Sequence, residues 1–236
     1  YGGKLPDWRQ IMIQAKATPG GKTAIPLIEQ PLMASYQGRV EGVLLRGMTV
    51  EDIRTNSAIQ NKVLTGKLSE LVPGSGNVAI GARLADELGA QVGGSISLIS
   101  PDGQTTPFGS VPRIVSYRVA AIFEVGVYDY DKSFVIMPIE DAQTLLLLGD
   151  SVGMVELDTI DPDKVGAILA PLAASVGDRA VISDWRSMNA SLFEALAVDR
   201  VVSFVILSLI ILVAAFNILS SLIMLVRAKT RDIAIV

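Results

Sequence analysis

Few residues of this chain combine the types and the spacing that chemistry requires. The run Gly20-Gly21-Lys22-Thr23 resembles the end of a phosphate-binding loop, in which backbone amides and a lysine hold phosphate groups. Such a loop needs a glycine where this chain has Lys16, and it needs a helix where this chain has Ala24-Ile25-Pro26. The run therefore predicts a turn and not a nucleotide-binding site.

Three carboxylates lie close together in the sequence, at Glu124, Asp129 and Asp131. Oxygen ligands of this kind hold hard cations such as Ca²⁺ and Mg²⁺. Acidic side chains at alternating positions of a hairpin are more typical of a face exposed to solvent. We expect such a face here rather than a metal site.

The composition excludes most of the remaining chemistry. The 236 residues contain no cysteine and no histidine. Disulfides, thiolate metal sites, a cysteine nucleophile, a serine–histidine triad and the usual general base near neutral pH are therefore excluded. We expect no catalytic residue, no metal site and no cofactor in this chain. Because no basic patch is interleaved with aromatic residues, we expect no nucleic-acid partner either.

The hydrophobic residues are concentrated near the C-terminal end. Half of the chain is hydrophobic, and the 26 residues from Val201 to Val226 include no charge. A hydrocarbon core of roughly 30 Å needs about 20 helical residues, so this run predicts a transmembrane helix. The alternative, a helix buried in a protein core, is disfavoured by the length of the run and by the lack of any helix breaker.

The charges beside this run predict its orientation. Residues 1–199 carry a net charge of −7 and residues 200–236 a net charge of +3. Basic side chains beside a span mark its cytoplasmic side, and Arg227, Lys229 and Arg231 follow this one. Residues 1–199 are therefore predicted to lie outside the cytoplasm. Since the first residues include no apolar run, we expect an upstream span to precede them and further sequence to follow at the other end.

Residues 1–47 and 151–183 predict one α+β unit. Their pattern of helix, strands, helix and strand would close into a ferredoxin-like sandwich if one more strand precedes Tyr1. The predicted elements are a helix with Trp8, Ile11, Met12 and Ala15 on one face, strands at 24–29, 32–36, 40–46, 153–157 and Ala180–Ile182, a tight turn at Gln37-Gly38, and a helix opened by Asp161-Pro162.

Residues 48–150 predict an inserted subdomain that is richer in strands. Ser95–Ser100 and Tyr117–Val125 are expected to form a hairpin, with about 16 residues between the two strands. Residues 184–200 are expected to form a helix that continues without a break into the span. The other predicted elements are strands at 77–80 and 134–137, helices at 83–88 and 139–148, and the start of a cytoplasmic coupling segment at 227–236.

Three stretches together resemble one family of membrane proteins. Asn77–Gly94, followed by the strand Ser95–Ser100, resembles a segment of MacB-like periplasmic domains, with its glycine, Leu-Ala helix and Val-Gly turn. Thr106–Arg113 resembles the Thr-Pro-x-Gly-x-x-Pro loop of lipoprotein-releasing ABC transporter permeases, the LolC/LolE family. Ala215–Ile218 and Lys229–Ala234 are similar to the second span and cytoplasmic exit of the FtsX-type membrane domain of that family.

The resemblance implies a permease subunit without covalent chemistry of its own. A separate cytoplasmic ABC ATPase would supply ATP hydrolysis, and a second permease subunit, the same or homologous, would complete the membrane part. The pair would lift a lipoprotein substrate from the membrane lipid of the bacterial inner membrane and pass it to a soluble periplasmic carrier. Asp131–Pro138 and Asp141-Ala142-Gln143 resemble the lipoprotein-receiving type, whereas the loop resembles the carrier-gripping type. Homodimer and heterodimer therefore both stay open.

The resemblance also implies three groups of functional residues. Phe108 and Val111 would be exposed apolar residues of a protruding loop, because two prolines keep the loop from pairing as a hairpin. The alternative is a loop folded back with Phe108 buried. The expected groups are the carrier-binding loop Thr106, Pro107, Phe108, Gly109, Ser110, Val111, Pro112 and Arg113, the ATPase-coupling residues Arg227, Lys229, Arg231 and Asp232, and the membrane-interface residues Phe216 and Asn217.

Each of the last two groups has a plainer interpretation. The coupling residues would simply fix the orientation of the span and contact anionic lipid headgroups. Asn217 would satisfy its amide against a neighbouring helix without lining the permease interface. Two other functions also fit the topology: a MacB-like efflux or mechanotransmission permease, and an FtsX-like regulator of cell-wall hydrolases.

Overall fold

The structure is a computed structural model that describes residues 3–106 and 109–233. Within these ranges, side-chain surroundings are described except at 57–58, 102–106, 109–110 and 228–233. The chain divides into two compact units, Tyr1–Val181 and Ile182–Val236. The two units are described separately.

The first unit mixes eight strands with seven helices in its described residues. The strands are β1 Gly21–Tyr36, β2 Arg39–Met48, β3 Val63–Gly66, β4 Asn77–Gly81, β5 Ser95–Thr106, β6 Gly109–Phe123, β7 Phe134–Pro138 and β8 Met154–Thr159. The helices are α1 Trp8–Ala17, α2 Val50–Thr55, α3 Ser57–Gln60, α4 Ala82–Leu88, α5 Tyr128–Ser133, α6 Ile139–Leu146 and α7 Val165–Val176, and short 3-10 turns lie at Leu68–Glu70, Pro162–Lys164 and Gly177–Arg179.

Six of the strands close into a ring. They follow one another in the order β2, β7, β4, β6, β5 and β1, and β1 pairs again with β2. The β2–β7 and β4–β6 pairs are parallel and the other pairs are antiparallel. Strand β8 adds to β1 outside the ring, and β3 adds to β6. The two subdomains expected from the sequence therefore share one sheet, since β1 pairs with β5 and β2 pairs with β7.

The core is formed by apolar side chains from the strands, with α4 and α6 packed against them. Leu45, Ile96 and Leu98 are fully buried in the larger of two apolar clusters. Helix α6 approaches the sheet closely at Gly47, where an added Cβ would lie 2.5 Å from the Cβ of Ala142. Glycine at that position is what allows the helix to pack against β2.

The β1–β2 hairpin confirms one prediction and corrects another. Its turn is Gln37-Gly38, with φ of 48° and 84°, which is the positive-φ geometry that a two-residue hairpin turn requires. Strand β1, however, runs unbroken through Pro31, where the sequence predicts a gap between two strands. Pro31 lies between the residues that pair with β8 and those that pair with β5, so only β2 pairs with the strand at this point.

The predicted strand at Ala180–Ile182 is wrong. The chain leaves the turn at Gly177–Arg179 and is irregular from 180 to 184. Val181 is 96% exposed, so the segment packs against no neighbouring strand. A short apolar pair such as Val181-Ile182 forms a strand only where a sheet edge is available beside it.

The second unit contains a short helix and a long one. Helix α8 spans Trp185–Met188 and helix α9 spans Ala190–Ile233. The continuous helix expected from position 184 is therefore interrupted at Asn189, whose side-chain amide donates a 2.7 Å hydrogen bond to the carbonyl of Trp185. Asparagine interrupts helices because its side chain competes for backbone partners.

Candidate functional site

The β5–β6 hairpin extends beyond the rest of the sheet. The two strands pair from Ser95 opposite Arg118 out to Thr106 opposite Gly109. Strand β1 pairs with β5 only up to Ile99, and β4 pairs with β6 only from Arg118 onwards. In the described part of the chain, the outer seven residues of β5 therefore have β6 as their sole strand neighbour. Seven residues at 3.3 Å each give a two-stranded projection of about 20 Å.

The expected loop of about 16 residues is wrong, because the hairpin stays paired almost to its tip. Pro112 does not prevent this pairing: Ser100 pairs with Arg113 and Gln104 with Val111, so three residues of β5 lie opposite Pro112. Because the ladder is interrupted at this bulge, the missing backbone N–H of Pro112 costs no hydrogen bond. Pro107 and Phe108 lie outside the described residues, and their exposure stays a prediction.

Apolar side chains are exposed along the projection and at its base. Val111 is 55% exposed, as expected from the sequence, and Ile114 is 63% exposed. Ile114 lies opposite Ile99, which in turn lies opposite the exposed Met33 of β1. These three residues form an apolar row across three strands at the base of the projection.

The inner face of the same base includes polar side chains. Ser100 and Tyr117 are buried there, and Arg113, the last residue of the predicted loop, is half-buried. Burial raises the pKa of Tyr117; the carboxylate of Asp141 raises it further, whereas Arg113 lowers it. Asp141 accepts a 2.7 Å hydrogen bond from the amide of Gly74, yet burial raises the pKa of its carboxyl group.

Asp131, in the acidic group near α5, holds backbone amides. Asp131 is 1% exposed, which corrects the expectation that all three carboxylates face solvent. Its two oxygens accept hydrogen bonds of 2.6 Å and 2.9 Å from the amides of Val125 and Gly126. Among the described residues no group of three potential ligands could hold a metal ion. The glycine run at 20–21 likewise forms the predicted turn, between α1 and β1.

Helix α9 contains the predicted span. Its stretch Ala190–Arg227 is long and apolar enough to cross a membrane, and its most apolar 18 residues have a mean hydropathy of 2.8. None of its most apolar window is buried in the protein. Such exposure of a continuous apolar helix is expected where lipid is the solvent.

The residues expected to act at the membrane all lie on α9. Phe216 is exposed, and Asn217 lies beside Ser221 in a shallow groove together with Ile218, Leu222 and Leu225. The helix continues past Arg227 to Ile233, so Lys229, Arg231 and Asp232 lie on its last turns. The side chains of these three residues are outside the described part.

The start of the second unit is fixed by a capping box that sequence reasoning did not identify. The Ser187 amide donates to the Asp184 carboxylate at 2.7 Å, and the Asp184 amide donates to the Ser187 hydroxyl at 3.0 Å. These hydrogen bonds to Ser187 lower the pKa of Asp184. The spacing of Asp184 and Ser187, three residues apart, is the sequence signal for this box. The prediction of one continuous helix did not use it.

Solved structures define the class of fold. The extracellular domain of the noncanonic ABC-type transporter YknZ from Gram-positive bacteria superposes with a TM-score of 0.50 at 14% identity, covering 75% of this chain and 85% of that domain. The periplasmic region of MacB from Actinobacillus actinomycetemcomitans gives a TM-score of 0.48 at 10% identity. The first unit thus has the fold of an extracytoplasmic domain of an ABC-type transporter. No protein-family model matches the chain.

Sequence relatives confirm the predicted resemblance to the LolC/LolE family. The chain is 36% identical over 97% of its length to the lipoprotein-releasing system transmembrane protein LolC of Neisseria meningitidis, and 33% identical over 99% to LolC of Xylella fastidiosa. It is 25% identical over 98% of its length to LolE of Haemophilus influenzae. The chain spans about half the length of these relatives, 55% and 56% for the two LolC proteins.

Proposed function

We propose that the chain is part of a permease subunit that extracts lipoproteins from the bacterial inner membrane and hands them to a periplasmic carrier. The observation that carries this proposal is the alignment of nearly the whole chain with proteins named LolC, at 36% identity in the first of them. The projecting hairpin supports it, since its tip coincides with the loop that resembles the carrier-gripping motif.

The hairpin is suited to hold a soluble partner. A two-stranded projection of about 20 Å reaches away from the sheet and offers strand edges and exposed apolar side chains. Gly109 to Pro112 belong to its distal part, and Val111 is already exposed there. A carrier that covers Val111 and Phe108 would remove their apolar surface from water, which favours binding.

The energy for release would come from a cytoplasmic ABC ATPase. In this proposal Arg227, Lys229, Arg231 and Asp232 contact that subunit, and ATP-driven closure moves the helix that carries them. Phe216 and Asn217 would contact the second permease subunit, where a polar amide in mid-span gains a hydrogen-bonding partner. The chain itself needs no catalytic residue in this scheme.

A pull-down of partners tests the function. The full chain, purified in detergent, is incubated with periplasmic extract beside a variant in which residues 106–112 are replaced by glycine and serine. Capture of a small soluble lipoprotein carrier by the parent chain alone supports the proposal. Capture of an outer-membrane channel would favour a MacB-like efflux permease instead, and capture of a hydrolase activator would favour an FtsX-like regulator.

The location is tested by labelling single cysteines in this cysteine-free chain. We expect residues 1–199 in the periplasm and Arg227 in the cytoplasm of an inner-membrane protein. An impermeant thiol reagent applied to intact spheroplasts should then label Ser187→Cys and leave Lys229→Cys unlabelled. Labelling of position 229 but not 187 would reverse the assigned orientation.

A further inference from the structure

One face of helix α9 collects polar side chains inside the predicted span. The charge-free run from Val201 to Val226 contains five polar side chains. Three of them, Ser203, Asn217 and Ser221, lie within about 40° of one another around the helix, whereas Ser208 points to the opposite side. Lipid offers such groups no hydrogen bond, so a face that gathers them is typical of contact with another helix.

The same face continues beyond the charge-free run. Leu192 and Leu196 precede the run, share the face and are 56% and 54% exposed. We call the whole face the α9 stripe; within an arc of about 80° it comprises Leu192, Leu196, Ser203, Leu207, Ile210, Ala214, Asn217, Ser221 and Leu225. Its outer leucines lie outside the predicted span, where exposed apolar surface is unfavourable. A protein partner that follows α9 out of the membrane covers both parts, whereas lipid covers only one.

Two opposite charges flank the stripe where it leaves the span. Asp199 lies about 40° from the centre of the stripe on one side, and Arg200 lies about 60° from it on the other. When two parallel helices are related by a two-fold axis between them, each edge of one stripe adjoins the opposite edge of the other. Asp199 of each copy then lies beside Arg200 of the other. Ion pairs of this kind along a helix seam determine partner and orientation.

We propose that the α9 stripe packs against the α9 stripe of a second copy of this chain, within the membrane and directly outside it. The inference rests on the proposed function, in which the chain acts with a second permease subunit, and it names that subunit as another copy. Two copies inserted in the same orientation place each residue at the depth of its equivalent.

The polar members of the stripe can pair with their own equivalents. An asparagine amide and a serine hydroxyl each donate and accept hydrogen bonds, so Asn217, Ser203 and Ser221 need no different partner. Asn217 and Ser221 also line the shallow groove on α9, which leaves room for a side chain of the second helix. Phe216 lies about 100° from Asn217 and off the stripe, so its contact with the second subunit would involve another helix.

Disulfide cross-linking of single cysteines tests the pairing in the full chain, which has no cysteine of its own. The chain is reconstituted alone in lipid vesicles and oxidised, and the dimer is measured on non-reducing gels. A disulfide needs Cα atoms within about 7 Å, so Ser203→Cys and Ser221→Cys should each give at least roughly fivefold more dimer than Ser208→Cys. Ser208→Cys is the matched control, because it is the same substitution on the opposite face of the same span. Leu192→Cys should cross-link like Ser203→Cys if the stripe is paired outside the span.

The charge pairs are tested by exchange in the Ser203→Cys chain. Arg200→Asp places acids on both edges of the stripe and should lower the dimer yield about two- to fivefold, as expected for the loss of exposed ion pairs. Adding Asp199→Arg restores one acid and one base in exchanged positions and should recover the original yield. Recovery distinguishes pairs between the two copies from an effect of either substitution on the helix itself.

Equal yields at positions 203 and 208, or no dimer at any position, would overturn the proposal. A yield that is unchanged by Arg200→Asp would overturn it as well, because the two-fold arrangement brings these charges together. Each of these failures leaves the capture of a periplasmic carrier to decide the proposed function, so the two proposals can fail separately.

Discussion

Apolar side chains of the β5–β6 hairpin are buried in its inner half and exposed in its outer half. In the inner half Leu98 is fully buried, whereas Val111 in the outer half is 55% exposed. The inner half lies between β1 and β4, and the outer half has no strand beside it in the described residues. Residues of the inner half should therefore govern stability, and residues of the outer half should govern binding.

The largest effect is expected in the inner half. Leu98→Ala removes a buried side chain from the main apolar cluster and leaves a cavity, so the free energy of unfolding should fall by about 3 kcal/mol. Thermal unfolding of the full chain, followed by circular dichroism, measures this loss. Val111→Ala, in the outer half of the partner strand, is the control and should cost less than about 0.5 kcal/mol. Equal losses in the two variants would show that the outer half is also part of the core.

The next largest effect is expected at the tip. Phe108→Asp should weaken carrier binding about 30-fold, because burial of a phenylalanine at an interface contributes roughly 2 kcal/mol. Binding is measured by calorimetry, and the melting temperature should stay unchanged. Ile160→Asp, at another exposed apolar residue, is the control and should leave binding intact. If Phe108→Asp lowers the melting temperature and spares binding, the loop is structural and not a binding element.

A smaller effect is expected at the cytoplasmic end of α9. Asp232→Lys should preserve membrane insertion, since the basic residues beside the span are kept. It should lower transport-coupled ATP hydrolysis about two- to fivefold, as expected for one exposed ion pair with the ATPase. Lys229→Arg keeps the charge and serves as control. Unchanged coupling in Asp232→Lys would leave orientation and lipid contact as the role of these charges.

The smallest effect is a change in the pH dependence of stability. Burial raises the pKa of Asp141 above its usual value of 3.8. The folded chain then binds this proton more tightly than the unfolded chain, so Asp141 makes stability fall as pH rises from about 4 to the folded-state pKa. Asp141→Asn keeps an acceptor for the Gly74 amide and should flatten this slope. Urea unfolding at several pH values measures it, and an unchanged slope would contradict the assignment.

Local sequence signals predicted the elements well where backbone geometry decides. Gln37-Gly38 forms the expected turn, and α4 ends at Gly89, whose φ is 74°. The sequence signals failed where neighbouring strands determine whether a segment pairs. Val181 lacks a strand to pair with, and Pro31 is accepted inside β1 because the adjacent strands change there.

The candidate site was predicted in part for the same reason. The hairpin and its exposed Val111 follow from strand patterns and from the motif at 106–113. The buried position of Asp141 does not, because its hydrogen-bond partner, the amide of Gly74, is 67 residues away in sequence. No local residue pattern predicts a contact between residues so far apart in sequence.

The closed ring of strands has a consequence for how the chain folds. Strand β2 pairs with β7, and the register joins Leu44 to Phe134, about 90 residues later. Until β7 is present, β2 and β4 each keep an unpaired edge that another chain could occupy. Closure over so long a span makes folding slow, because the entropy of the intervening loop is lost before the pairing is gained. A nascent chain that stops short of Phe134 should therefore need protection from aggregation.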